Sequence, residues 1–274
     1  TEVVTGSFTI SHTNGTLTVS CDNLKALSGV TIDANSKIVV SYTAKLTAAA
    51  EIGHPGNSNK VYLEYSNNPN QTGTGTTETG KTPEDEVLVF TYELDVTKVD
   101  GKNADTKLSG AEFVLLNSDK KAAVVKDGKI TGWADVTTAD GKTTYPAGST
   151  LTSGADGKFA IAGLDAGSYY LVETKAPAGY NLLKNPIAIE ITATLDKSEN
   201  NPELTALTIK VDGGEEKDGN LDTGAVATDV ENNRGATLPE TGGAGTTAVY
   251  IIGGCLVLAA AVLLVTKKRM GSKG

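Results

Sequence analysis

Two cysteines, two histidines, one methionine and one tryptophan occur in 274 residues, and aromatic residues make up only 5%. Cys255 lies inside a long apolar run near the C-terminus, so Cys21 has no partner ahead of that run and a disulfide framework is excluded. Cys21, in Leu17-Thr18-Val19-Ser20-Cys21, is expected to be a small buried apolar residue. His12 and His54 stand far apart without cysteine company, so no metal or other cofactor is expected. No Ser/His/Asp, Cys/His or phosphate-loop arrangement is visible, and a turnover enzyme is not expected. Acid is absent after Glu240, and Lys267, Lys268, Arg269 and Lys273 of the 24 basic residues lie in that tail. The rest of the chain sets 20 basic against 33 acidic residues, a net charge of −13. Such a surface argues against nucleic acid and anionic lipid as partners. An initiator methionine and a signal peptide are also lacking. Thr1-Glu2-Val3-Val4 reads as interior sequence, so the chain is expected to be a fragment or a processed form.

The C-terminal end carries the densest pattern. Residues 248–265 hold no charge and are dominated by Val, Ile, Leu and Ala. As a helix at 1.5 Å per residue they span roughly 27 Å, about one hydrocarbon core. The basic Lys267-Lys268-Arg269 follows, as expected of a cytoplasmic flank. Ahead of the run stands Leu238-Pro239-Glu240-Thr241-Gly242. Pentapeptide, span and basic tail in this order resemble the LPxTG cell-wall sorting signal of Gram-positive surface proteins. The resemblance implies cleavage by a sortase between Thr241 and Gly242 and transfer of the Thr241 carbonyl to an amine. It also implies a cell-surface location, covalently on the wall, with the precursor held in the cytoplasmic membrane by 248–265. The plainer alternative is an exposed linker before an ordinary anchor.

Upstream, the pattern is that of strands. Phe8-Thr9-Ile10 and Leu17-Thr18-Val19 flank the turn signal Asn14-Gly15. Residues 38–46 read as a longer strand and 48–52 as a short helical turn. Residues 60–67 read as another strand, with Val61, Leu63, Tyr65 and Asn67 on one face. Residues 71–86 are a Gly/Thr-rich loop. From Val87 a second domain opens. Phe90, Tyr92, Leu94 and Val96 share a strand face, and the same parity brings Lys98 onto it. Residues 107–116 read as one strand with Ala111, Phe113 and Leu115 in register. Asp-Gly pairs at 100, 127, 140 and 156, each followed by Lys, suit tight hairpins better than calcium loops. Further strands fall at 159–161, 168–173, 187–191, 207–211 and 226–232. Trp133 is expected to be a core or loop-packing anchor, and 212–222 a solvated acidic loop. Short strands, frequent turns and no long helix give an all-β sandwich.

Three strand ends each put one polar residue on an apolar stripe: Lys98, Glu173 and Asn232. Burying any one alone costs several kcal/mol. Burying them together makes sense if they react. A desolvated lysine is partly neutral and nucleophilic, and a carboxyl in apolar surroundings can donate to an amide carbonyl and shuttle protons. Attack of the Lys98 amine on the Asn232 carboxamide, with loss of ammonia, would join the first and last strands by an amide bond. Strand parity rejects the neighbouring Asn233. The bland alternative is that Lys98 snorkels, Glu173 pairs with it and Asn232 caps a strand end.

Thr97-Lys98-Val99-Asp100, Leu108-Ser109-Gly110-Ala111-Glu112-Phe113, Gly163-Leu164 and the run from Tyr170-Leu171-Val172-Glu173 to Pro177-Ala178-Gly179-Tyr180 resemble the CnaB-type Ig-like domain. That family implies an intramolecular Lys–Asn isopeptide bond with a catalytic glutamate, and Lys98, Asn232 and Glu173 fall on its three positions. Val40-Ser41-Tyr42-Thr43-Ala44-Lys45-Leu46, Gly56-Asn57-Ser58-Asn59 and Tyr65-Ser66-Asn67-Asn68-Pro69 resemble the isopeptide-forming second domain of Spa-type backbone pilins. There Asn67, with Asn68 as runner-up, matches the bonding asparagine. Its partner lysine and the pilin-motif lysine are expected upstream of residue 1, and Thr144-Tyr145-Pro146-Ala147 is no substitute for the latter. The expected organisation is two tandem Ig-like β-sandwiches, the first truncated (1–86, then 87–236), and a sorting signal with one transmembrane helix (237–274). The expected function is a structural subunit of a sortase-assembled pilus, with sortase, neighbouring pilin subunits and peptidoglycan as partners. The alternative is a wall-anchored monomeric adhesin that binds a host matrix or glycan ligand.

Overall fold

Residues 5–47, 49–68, 78–196 and 203–235 are described in the computed structural model of the chain. The pentapeptide 238–242, the apolar run 248–265 and much of the loop expected at 71–86 lie outside the described residues. Among the described residues no helix is long and apolar enough to cross a membrane. The helices among them are two three-residue 3-10 turns, Thr5–Ser7 and Leu24–Ala26.

The N-terminal segment contributes β1 (Thr9–Thr13), β2 (Thr16–Ser20), β3 (Asn57–Val61), β4 (Glu64–Ser66), β5 (Thr79–Lys81) and β6 (Asp85–Val89). They pair as three separate two-stranded ribbons, β1 with β2, β3 with β6 and β4 with β5. The β1–β2 hairpin turns at Asn14-Gly15, both residues at positive φ, as the Asn-Gly signal requires. Three sequence expectations fail here. Residues 38–46 form no strand, 60–67 are split between β3 and β4, and 49–52 make a turn with no helix. The reason is pairing. A strand needs a neighbour for its backbone groups, and a two-stranded ribbon cannot cover an apolar face. Val39 is accordingly 79% exposed and Leu63 61%. Cys21 is only half-buried, where the sequence suggests full burial. The strand β6 straddles the expected boundary at 86/87 and pairs back onto β3, Val89 opposite Asn57.

All buried apolar side chains among the described residues lie between Phe90 and Val230. This part contains β7 (Tyr92–Asp100), β8 (Asn103–Lys107), β9 (Glu112–Leu116), β10 (Ala122–Lys126), β11 (Lys129–Ala134), β12 (Thr137–Ala139) and β13 (Lys142–Thr144). It continues with β14 (Leu151–Thr152), β15 (Lys158–Leu164), β16 (Gly167–Lys175), β17 (Ile187–Asp196), β18 (Glu203–Val211), β19 (Glu216–Asp218) and β20 (Ala225–Asn232). The strand expected at 107–116 is thus two, β8 and β9, broken at Gly110. One ladder runs β19-β18-β17-β16-β9-β10-β11-β15-β7-β20, with β14 beside β9 and β8 beside β7. Its two ends come together at Gly219, where a Cβ would meet Val226 of β20 and Leu207 of β18. The ladder therefore folds round a shared core. Leu94, Phe113, Leu115, Ile161, Leu171, Ile189 and Leu207 fill it, and the Phe113 and Phe159 rings stack at 5.1 Å. Trp133 is half-buried and stacks on Tyr169 at 6.1 Å.

The Asp-Gly pairs divide by role. Asp127-Gly128 and Asp140-Gly141 have positive φ at both residues and close the β10–β11 and β12–β13 hairpins. Asp100 instead turns the chain with its side chain, accepting from the Lys102 N–H at 2.8 Å. Gly157 (φ +74) is pressed against the site strand, and a Cβ there would lie 2.7 Å from the Lys98 carbonyl oxygen. Gly157→Ala is expected to lower stability by roughly 2 kcal/mol, read as a fall in the denaturant midpoint.

The N-terminal segment is joined to the part from Phe90 to Val230 by backbone hydrogen bonds, one to the residue just before β7 and one to the loop between β19 and β20. The Gly53 N–H donates to the Thr91 carbonyl at 2.9 Å and the His54 N–H to the Leu221 carbonyl at 3.0 Å.

Candidate functional site

Strand alternation delivers the three polar residues to one place. On β7 the inward side chains are Tyr92, Leu94, Val96 and Lys98. On β16 they are Tyr169, Leu171 and Glu173, and on β20 Val226, Thr228, Val230 and Asn232. Strands β7 and β20 run parallel, with Val230 opposite Lys98 and Asn232 opposite Asp100. Glu173 lies opposite Phe113 of β9, and the register shifts immediately after it, so Thr174 bulges before Lys175 makes the last pairing of the strand with Glu112.

Lys98 and Asn232 are 0% exposed and Glu173 4%. The Asn232 amide nitrogen donates to both Glu173 oxygens, at 2.9 Å to Oε1 and 3.0 Å to Oε2, and to the Asn181 carbonyl at 2.9 Å. The Leu183 N–H donates to Glu173 Oε2 at 2.8 Å. Lys98 Nζ donates to the Val230 carbonyl at 2.7 Å. Asn232 Oδ1 is buried without a hydrogen-bond partner. The sequence reading has the glutamate donating to the asparagine carbonyl; the structure reverses the amide. A carbonyl only accepts, so Asn181 fixes the carboxamide with its nitrogen toward the loop and the carboxylate.

Burial pushes the Lys98 ammonium down from its ordinary 10.5 to about 8, against the charges of Glu173 and Glu231, which favour the protonated form. In an Asn232→Ala chain, which keeps lysine and glutamate in place, stability is expected to rise with pH. Between about 8 and 10.5 the unfolded chain still holds a proton that the folded one has released, so the unfolded state binds more protons. Below pH 8 the burial cost is present in full. Urea midpoints on either side of this window check the sign; a flat or falling midpoint contradicts it.

The other candidates lie elsewhere. Asn233 is exposed, its side chain against Gly101. Asn67 and Asn68 are exposed just beyond β4, and the Asn67 N–H donates to the Glu78 carbonyl. The cleavage residues Thr241 and Gly242, with Leu238, Pro239 and Glu240, are outside the described residues. Among the described residues no group of His, Cys, Asp and Glu could hold a metal ion. The sequence reading missed the contributions of residues 180–183. The Asn181 carbonyl and Leu183 amide are backbone groups that no residue type announces. Tyr180 had a signal, since it closes the motif that begins at Tyr170.

Residues 92–204 match the family model of SpaA, described as a prealbumin-like fold domain, and residues 230–270 match the LPXTG cell wall anchor motif. These matches define a cell-wall-anchored Gram-positive surface protein with a prealbumin-like, Ig-type β domain ahead of its anchor. Its curated relatives include the fimbrial subunit type 1 of Actinomyces viscosus, 28% identical over 262 residues that cover 86% of this chain and 44% of that one. Another is the trypsin-resistant surface T6 protein of Streptococcus pyogenes serotype M6, 28% identical over 179 residues, 61% of this chain and 28% of that one. Among solved structures, the group B streptococcus pilus 2b backbone protein is 30% identical, over 59% of this chain and 50% of that one, with a TM-score of 0.41. The chain spans less than half the length of the curated relatives it matches. The resemblance to LPXTG-anchored pilins stands over the prealbumin-like domain and the anchor.

Proposed function

We propose that the protein is a structural subunit of a sortase-assembled covalent pilus. Its prealbumin-like domain locks itself with an amide bond between Lys98 and Asn232. A sortase cleaves between Thr241 and Gly242 and joins Thr241 to the next subunit or to the peptidoglycan. The observation that carries this reading is the wholly buried set of Lys98, Glu173 and Asn232, held between the first and last strands of the domain next to the anchor. Left unreacted, a buried lysine and a buried carboxyl group beside an orphaned amide oxygen cost the fold several kcal/mol. As the precursor of a bond it is consumed.

The proposed chemistry is consistent with the contacts around Asn232 and Glu173. Glu173 takes a proton from the Lys98 ammonium, which burial has already made a stronger acid. The neutral amine attacks Cγ of Asn232, forming the C–N bond. Glu173, in contact with the leaving nitrogen through both oxygens, hands its proton to Nδ2 and takes the second proton from the attacking nitrogen. The Cγ–Nδ2 bond breaks and ammonia departs, leaving an amide N–H on the former lysine. Each protein molecule reacts once, so the chemistry is self-processing and not turnover.

Gel analysis of muramidase-released wall material tests the pilus reading. A ladder of covalent, detergent-resistant species carrying this chain is expected. A single wall-linked species that binds a host matrix protein or glycan saturably would instead favour the monomeric adhesin. The candidate Asn67 of the N-terminal segment belongs to the same proposal, as the asparagine end of a second such bond.

A further inference from the structure

A second polar triad sits just outside the first. The Tyr180 hydroxyl donates to Asp100 Oδ2 at 2.7 Å, and Arg234 Nη2 donates to the same hydroxyl at 2.6 Å. Arg234 Nε lies 3.4 Å from Asp100 Oδ2, and the guanidinium stacks 4.7 Å from the centre of the Tyr180 ring. These residues come from the three segments that carry the reacting groups. Asp100 follows Lys98 by two positions on β7, Arg234 follows Asn232 by two beyond β20, and Tyr180 lies in the loop that leaves β16 after Glu173.

That loop, 176–186, has no place in the ladder and contains Pro177 and Pro186, which cannot donate backbone hydrogen bonds. Yet it supplies the Asn181 carbonyl that orients the Asn232 amide and the Leu183 N–H that holds Glu173. Besides that Asn232 contact, it is tied to the residues just beyond β20 by the Asn181 N–H donating to the Asn233 carbonyl at 3.1 Å and by the Arg234–Tyr180 contact. The Gly101 N–H, donating to the Asn232 carbonyl at 2.9 Å, ties the third segment to the same point.

We propose that Asp100, Tyr180 and Arg234 are positioning residues: a clasp that closes the 176–186 loop over the site and thereby sets the rate at which Lys98 and Asn232 join. The proposal rests on the crosslinking reading above. The clasp touches none of the reacting atoms. It acts through Asn181 and Leu183, keeping the leaving nitrogen against Glu173 and the carboxylate in reach of Lys98. Its geometry is built around an ionised Asp100, whose carboxyl is held below the usual range by the Lys102 N–H and the Tyr180 hydroxyl.

The test is the time course of ammonia loss by the full chain, translated cell-free into detergent micelles and followed by intact mass. Tyr180→Phe keeps the ring under the guanidinium and removes both hydroxyl hydrogen bonds. Arg234→Gln alters a side chain that is 64% exposed, so the fold is not at stake. The single tryptophan, Trp133 stacked on Tyr169, reports folding independently through its emission. In both variants ammonia loss is expected to slow by about 10-fold or more after Trp133 has reached its folded emission, as expected when a reacting pair is loosened. A purely structural clasp would change the folded fraction and leave the rate per folded molecule unchanged. Parental rates in both variants would overturn the clasp while leaving the crosslink in place. A parent chain that folds and never loses ammonia would overturn the crosslink and the clasp with it.

Discussion

Replacing Glu173 with alanine is expected to leave the folded chain at full mass, without the loss of one ammonia, and to lower its thermal midpoint by roughly 10–20 °C. Two contributions combine. The proposed amide bond would close most of the domain as a loop from Lys98 to Asn232, and tying a loop of this size is worth about 5 kcal/mol through the unfolded state. The alanine also removes the acceptor of the Asn232 amide and the Leu183 N–H and leaves Lys98 without its neighbouring carboxylate. Each buried donor left unpaired costs about 1–3 kcal/mol. At about 2–4 °C per kcal/mol for a domain of this size, the loop term alone supplies that shift, and the unpaired groups can only deepen it. Differential scanning calorimetry of the parent and variant, paired with intact masses, separates the terms. A Glu173→Gln chain keeps an acceptor for the asparagine amide but no proton shuttle, so it should retain more stability than the alanine chain and still carry full mass.

The second large effect is at the opposite end. Thr241→Ala is expected to cut the wall-linked fraction by about 100-fold or more, the discrimination a pocket shaped for a particular side chain achieves. The LPXTG anchor matches at 230–270, and the apolar run 248–265 is left intact by the substitution. The chain should therefore still reach the membrane and stall there, recoverable with detergent and absent from muramidase-released material. The mass of its prealbumin-like domain should still show the missing ammonia, because Thr241 lies outside the segments that build the site. Wall linkage at parental level would show that the pentapeptide is not the joint.

Much of the site was legible because a strand allows only two faces. Once Leu94 and Val96 are placed inward, Lys98 follows; Leu171 carries Glu173 with it, and Val230 carries Asn232. The same alternation separates Asn232 from the exposed Asn233. Asn-Gly at 14 and Asp-Gly at 127 and 140 specify their hairpins through the positive φ that such turns demand. The failures have an equally definite cause. Residues 38–46 alternate well, yet alternation says nothing about whether a neighbouring strand exists to pair with. Asp100-Gly101 looks like the hairpin turns at 127 and 140 but, like Asp156-Gly157, uses its carboxylate, which Tyr180 and Arg234 also engage. The orientation of the Asn232 amide was beyond reach, since it depends on a backbone carbonyl in a loop without periodicity. Side-chain parity is a property of the sequence; what the backbone of a distant loop offers is a property of the fold.

The most direct measurement is the intact mass of the purified full chain, followed by peptide mapping. The account predicts a deficit of one ammonia and a branched peptide that joins Lys98 to Asn232, with both signals absent from the Glu173→Ala and Asn232→Ala chains. A folded parent at full mass, with Lys98 and Asn232 in separate linear peptides, would contradict it.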